Sequence, residues 1–115
     1  MKKIMIVDDD PIYLDIVLRV LYEADFRVYV ATNSLDAKKI NMQINLDLIV
    51  VDFNLGNENA TDVVNALGRK QNYVFCSSYL ETEKALFGLP GTIQFKPNNQ
   101  TTLFQMLDSV NTQRL

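Results

Sequence analysis

Five side chains carry most of the chemistry open to this sequence: Asp8, Asp9, Asp52, Ser77 and Lys96. Each directly follows, or nearly follows, a short apolar run, at residues 4–7, 48–51, 73–76 and 92–95. Three carboxylates brought within a few ångströms either raise each other's pKa or require a cation. The sequence has no histidine and a single cysteine, Cys76, so a zinc site of nitrogen and sulfur ligands is ruled out and a bound ion must be held by oxygen. A hard divalent ion, Mg²⁺ in particular, suits such a set. The Asp52 carboxylate beside that ion can attack an activated phosphorus atom, with the Lys96 ammonium neutralising charge on the transferring oxygens. The Ser77 hydroxyl can donate to one phosphoryl oxygen, which ties the chemistry to a change of surface.

These residues need elements that bring them to one place. Residues 4–7 read as a strand buried on both faces. Asp10-Pro11 then reads as a helix N-cap with proline at the first helical position. Leu14, Val17, Leu18 and Leu21 form an apolar stripe, with Asp15, Arg19 and Glu23 on the wet side. A second strand over 26–30 leads to a cap at Asn33 or Ser34 and an imperfect stripe of Leu35, Ala37, Ile40 and Ile44. A third strand ends at Asp52, a polar loop covers 54–59, and Val63, Val64 and Leu67 mark a third helix ending near Gly68. The fourth strand is followed by a short helix over 80–87, closed by Gly88 and Pro90. The fifth strand ends at Lys96-Pro97, and Leu103, Met106, Leu107 and Val110 give a last helix. Strands separated by helical crossovers imply a parallel sheet covered on both faces, with the site at the strands' carboxyl ends.

A chain of 115 residues with 48% apolar content fills one core, so a single domain over 1–115 is expected. Net charge is -3 and the pI is near 4.8, which disfavours a general nucleic-acid face. The apolar run behind Met1-Lys2-Lys3 stops after four residues, too short for a signal peptide or a membrane span. With one cysteine there is no internal disulfide. A cytoplasmic location without membrane attachment is expected.

The acidic pair in IVDDDP, the segment LIVVDFNLG around Asp52, the strand-end CSS at 76–78 and FKP at 95–97 fall in this order along nearly the whole chain. Together they resemble the receiver domain of two-component response regulators, of the single-receiver chemotaxis or phosphorelay type. The resemblance implies a doubly wound (βα)5 sandwich with a five-stranded parallel sheet of order 2-1-3-4-5. It implies Mg²⁺ bound by Asp9, Asp52 and the backbone carbonyl of Asn54, with Asp8 partly through water. It also implies phosphoryl transfer to Asp52 from a sensor histidine kinase or a histidine phosphotransfer protein. Lys96 is then the partner of the phosphoryl group and Ser77 the switch hydroxyl, while Ser78 and Tyr79 flank the phosphate and set water access. Output to a downstream effector by protein contact follows, without direct nucleic-acid binding, and a phosphorylation-dependent homodimer is compatible with the family.

The sequence departs from the family pattern at several positions. Ile93 stands where an aromatic switch residue is usual, Gly56 where proline is common, Ala60 and Thr61 near a usual glycine, and Ser78 where alanine is frequent. The stretch from Ser77 to Lys96 is short. Two rivals follow: a degenerate receiver that binds partners without phosphorylation, and a small flavin or nucleotide binder. The three acids after the first strand, in place of a glycine-rich loop, are hostile to a phosphate there. The five tyrosines lie in separate elements and read as core edges or surface rather than a stacking platform.

Overall fold

The computed structural model describes residues 2–77 and 88–113. The short helix expected over 80–87, with Ser78 and Tyr79, lies outside the described residues, as does the side chain of Val110. Among the described residues the chain runs β1 (Lys3–Val7), α1 (Pro11–Glu23), β2 (Arg27–Ala31), α2 (Ser34–Gln43), β3 (Leu48–Asp52), α3 (Ala60–Leu67), β4 (Tyr73–Ser77), β5 (Gly91–Phe95) and α4 (Gln100–Gln113). The main sheet has the order β2-β1-β3-β4-β5 and every pairing in it is parallel. This is the doubly wound order expected from the sequence.

Burial explains why the three central strands read as continuous apolar runs. Along β1, Met5 and Val7 join the core on one face while Ile4 and Ile6 join the core on the other. The same period of two splits Ile49 and Val51 from Leu48 and Val50, and Tyr73 and Phe75 from Val74 and Cys76. Helices α2 and α3 cover the first face; α1 and α4 cover the second. Phe75 is fully buried and stacks on Tyr73, so its truncation to alanine costs about 3–5 kcal/mol. The edge strands β2 and β5 carry solvent-facing positions instead.

Helix ends follow local chemistry. Asp10 caps α1, its side chain accepting from the N–H groups of Ile12 and Tyr13, and Pro11 opens the helix. Asn33, the first of the two expected caps, caps α2. Asn59 and Asp62 form a reciprocal capping box on α3.

Three expectations are corrected. Leu18 and Leu35 are exposed. The buried stripe of α1 is the narrower set Leu14, Val17 and Leu21, and Leu18, turned about 100° from Val17, falls on its flank. Leu35 lies in the first turn of α2, whose buried contact is Ala37. The polar loop over 54–59 is a two-stranded antiparallel ribbon, Asn54–Leu55 against Glu58–Asn59, with Leu55 buried. Gly56 in its turn has φ +78, a conformation closed to proline.

Candidate functional site

The register of the sheet brings the acidic residues level. Val7 pairs with Val51 across β1 and β3, so Asp8 and Asp52 emerge side by side from adjacent strands. The backbone N–H of Asp8 donates to the Ala31 carbonyl at 3.0 Å, and its Oδ1 accepts from the Asp10 N–H at 2.9 Å. These bonds hold a carboxylate that is only 2% exposed. Asp9, one residue on, is exposed. One carboxylate oxygen from each of Asp8, Asp9 and Asp52 lies within 4.8 Å of the others. The donors are all hard oxygens and two of the three are withdrawn from bulk water, which fits a divalent cation of the Mg²⁺ or Ca²⁺ kind.

Lys96, just past β5, completes the cluster. Its Nζ lies 2.6 Å from Asp8 Oδ2 and 3.4 Å from Asp52 Oδ2. The same nitrogen sits 4.2 Å from the centroid of the Tyr13 ring, and the Tyr13 hydroxyl donates to the Pro97 carbonyl at 3.1 Å. A cleft of about 510 Å³ opens beside this group, lined among others by Tyr13, Val17, Ser77, Phe95, Lys96 and Leu103. Ser77 ends β4, is buried, and its carbonyl accepts from the Lys96 N–H at 3.1 Å. The strand ends that carry the hydroxyl and the ammonium are therefore tied together.

The ribbon lies beside Asp9. Asn54 Oδ1 accepts from the Gly56 N–H at 3.1 Å, and a Cβ placed on Gly56 would meet Asp9 Oδ2 at 3.3 Å. Glu58 takes the ribbon to α2: its carboxylate accepts from the Ser34 N–H at 3.0 Å and from the Ser34 hydroxyl. A carboxylate there also complements the positive end of the helix.

The electrostatics follow from this packing. Burial pushes the Asp52 carboxyl up to about 6 from 3.8, against the lowering effect of the Lys96 charge; the Asp8 charge adds to the rise, and hydrogen bonds from Lys96 and the Asn54 N–H oppose it. Burial works against the charge on Lys96, yet the hydrogen bond to Asp8 and the charges of Asp52 and Asp8 prevail and raise its pKa. The Cys76 thiol is pushed up to about 12 by burial, with the Asp52 charge adding to it, so it is the inert buried thiol that its position in an apolar run suggests.

The structure thus brings together Asp8, Asp9, Asp52 and Lys96, and sets Ser77 in the adjoining cleft. Ile93 is exposed in β5, opposite Phe75 in the register, two residues before Phe95. Sequence reasoning placed Tyr13 among core edges; the structure places it on Lys96. The helix pattern marks Tyr13 only as a continuation of the buried stripe, four residues before Val17, and not as a partner of Lys96. Glu58 gave no signal, because its partner on α2 is 24 residues away.

The family model of the response regulator receiver domain matches residues 4–108. Among solved structures, chemotaxis protein CheY4 of Vibrio cholerae superimposes with a TM-score of 0.84 at 22% identity, over 96% of this chain and 98% of that one. A CheY-like receiver domain protein from Methanospirillum hungatei JF-1 gives a TM-score of 0.83 at 21% identity, over 99% and 97%. Response regulator protein TrrA from Thermotoga maritima, in complex with Mg²⁺-BeF, gives 0.80 at 20% identity, over 96% and 99%. At these identities the likeness carries the fold. No curated protein sequence matches the chain. A family model that runs from the first strand into the last helix, over a sheet wound in the family's order, makes this chain a member of the response regulator receiver domain family, a phosphoryl-accepting signalling module.

Proposed function

We propose that the domain, spanning residues 1–115 as one unit, accepts its phosphoryl group on Asp52 from the phosphohistidine of a sensor histidine kinase or a histidine phosphotransfer protein. The observation that carries this reading is the convergence of three carboxylates within 4.8 Å, with the Lys96 ammonium 3.4 Å from Asp52 Oδ2. In the transfer, an Asp52 oxygen forms a bond to phosphorus as the phosphorus–nitrogen bond of the donor breaks. The imidazole keeps that electron pair and takes a proton. Asp9, Asp52 and the Asn54 carbonyl, with Asp8, would hold Mg²⁺ here, and the ion would supply charge neutralisation on the transferring oxygens. Asp8, whose carboxylate already meets the Lys96 ammonium, would take part partly through water.

Lys96 holds a positive charge where oxygen charge gathers. Ser77 donates to a phosphoryl oxygen and so moves with phosphorylation, while Ser78 and Tyr79 govern the approach of water to the phosphorus. The Ile93 position transmits that motion without an aromatic ring. The signal leaves by protein contact with a downstream effector, in the cytoplasm. Among the described residues no helix is long and apolar enough to cross a membrane.

A small acyl phosphate with Mg²⁺ is expected to add one phosphoryl group by intact mass, and Asp52→Asn to add none. Removal of divalent ions by a chelator should stop the reaction in the wild type. The same modification at the same rate in D52N overturns the assignment. A folded wild type that takes no group from either a small donor or a phosphohistidine donor leaves the domain as a phosphorylation-independent binding module.

A further inference from the structure

A lysine is a poor holder of its own position. Its charge sits on a flexible four-carbon stem with three rotatable donors, and ordering it costs side-chain entropy. Here the two carboxylates approach the Lys96 ammonium at 2.6 and 3.4 Å, yet both also belong to the cluster suited to a cation. An oxygen given to a metal ion has less to give to an ammonium. The Tyr13 ring is a contact of another kind. It faces the ammonium at 4.2 Å with the negative face of its π-system, is neutral, and has no oxygen directed at the acidic cluster, because its hydroxyl is engaged with the Pro97 carbonyl at 3.1 Å.

That hydroxyl bond joins the ring to the residue next to Lys96, so the ring and the stem of the lysine are fixed to each other across 84 positions of sequence. Tyr13 is itself fixed, since its N–H is held by the Asp10 cap at 3.3 Å and Leu14, its neighbour, is buried in the core. Burial is the chief cause that raises the phenol pKa, followed by the charges of Cys76, Asp8 and Asp52; the hydroxyl stays protonated and remains a donor.

We propose that Tyr13 is a positioning residue for Lys96: its ring and hydroxyl aim the ammonium at the gap between Asp8 and Asp52 independently of whether those carboxylates are occupied. This rests on the phosphoryl-accepting reading of Asp52, but part of its test does not.

The test compares wild type with Tyr13→Phe, Tyr13→Leu and Tyr13→Met. In the metal-free protein, the Lys96 ε-methylene protons are expected to be shifted upfield by the ring in wild type and Y13F, and to return to the ordinary lysine position in Y13L and Y13M. With Mg²⁺ and a small acyl phosphate, Y13L and Y13M should phosphorylate about three- to tenfold more slowly, the range a single partly desolvated cation–π contact supplies. Their Mg²⁺ affinity should stay within about twofold, because the ring touches no ligand oxygen. Y13F should recover most of the rate. An unshifted Lys96 in wild type, a Y13L rate equal to wild type, or Mg²⁺ affinity lost in parallel with rate would each overturn the proposal. If Y13L does not fold, Y13M, which keeps length and helix propensity, decides. A wild type that takes no phosphoryl group removes the function proposed for Asp52, while the Lys96 shift still decides whether Tyr13 holds the ammonium.

Discussion

The two sides of the Asp52 carboxylate are built differently. On the side of α1 stand Asp8, 2% exposed, the Lys96 ammonium and the Tyr13 ring. The charged groups there are buried or half-buried beside the cleft, and a positive charge is already in place. On the side of the ribbon stand the exposed Asp9 and Asn54, with Gly56 at its turn. That side is open and offers oxygens without a charge to match them. The difference separates two tasks that a single carboxylate must share. A more buried, lower-dielectric side strengthens the fixed charge that meets developing negative charge, whereas an exposed side lets a hydrated ion enter and keep some of its water.

The largest break in this comparison comes from Lys96→Ala. It leaves the buried Asp8 carboxylate and its Asp52 neighbour without their cation. Phosphorylation of Asp52 should slow by about 100-fold or more, the loss typical of one preorganised charge-stabilising group. Mg²⁺ should bind several-fold tighter, since the ammonium 2.6 Å from Asp8 Oδ2 no longer competes for that oxygen. Thermal melts should show a lower midpoint in chelator, as expected on removing one partner of a buried pair, and recovery on adding Mg²⁺. A K96A protein with weakened Mg²⁺ binding would mean that the two sides are not separable.

The packed side and the open side were not equally legible in the sequence. Strand ends at Asp8, Asp52 and Ser77 could be found because strands buried on both faces become short apolar runs, and the polar residue that stops each run is conspicuous; Lys96, at the end of an exposed edge strand, was marked by its place in FKP instead. The edge strands were harder. The second was expected over 26–30 and is Arg27–Ala31, because an exposed edge has no continuous run to mark its limits. The ribbon carried no periodic signal at all, since its strands are two residues each and its anchor, the Glu58 carboxylate on Ser34, is a long-range contact. Tyr13 fitted the amphipathic pattern of α1 so well that nothing marked it as more than a core edge. Its role depends on the loop after β5 reaching α1, which no spacing within the helix can reveal.

A smaller effect tests the charge balance on the packed side through pH. The Asp52 carboxyl is raised to about 6 from 3.8, so between these values the folded protein holds a proton that the unfolded chain has lost. Stability of the metal-free protein is therefore complete below 3.8 with respect to this group and falls as pH rises through about 6, by on the order of 2 kcal/mol. Denaturant titrations from pH 4 to pH 7 should show that decline in wild type and a flatter profile in Asp52→Asn. Saturating Mg²⁺ should flatten the wild-type profile as well, because a bound cation favours the ionised carboxylate. A decline of equal size in D52N would assign it to other groups.

The smallest effect tests the open side. Gly56 has φ +78, and a Cβ there meets Asp9 Oδ2 at 3.3 Å. Gly56→Ala should cost about 1–2 kcal/mol of stability from the left-handed backbone alone. The exposed Asp9 carboxylate can yield by a few tenths of an ångström, so Mg²⁺ affinity should fall about two- to fivefold, in keeping with a disturbed ligand rather than a lost one. At saturating Mg²⁺ the phosphorylation rate should return to that of the wild type, because the Gly56 contact is with Asp9, whereas Lys96 is held by Asp8, Asp52 and the Tyr13 ring. Isothermal titration with Mg²⁺, followed by a rate measurement at saturation, makes the distinction. A rate that stays low at saturating Mg²⁺ would show the ribbon to be coupled to the packed side, and the carboxylate of Asp52 to be held as one rigid unit with both.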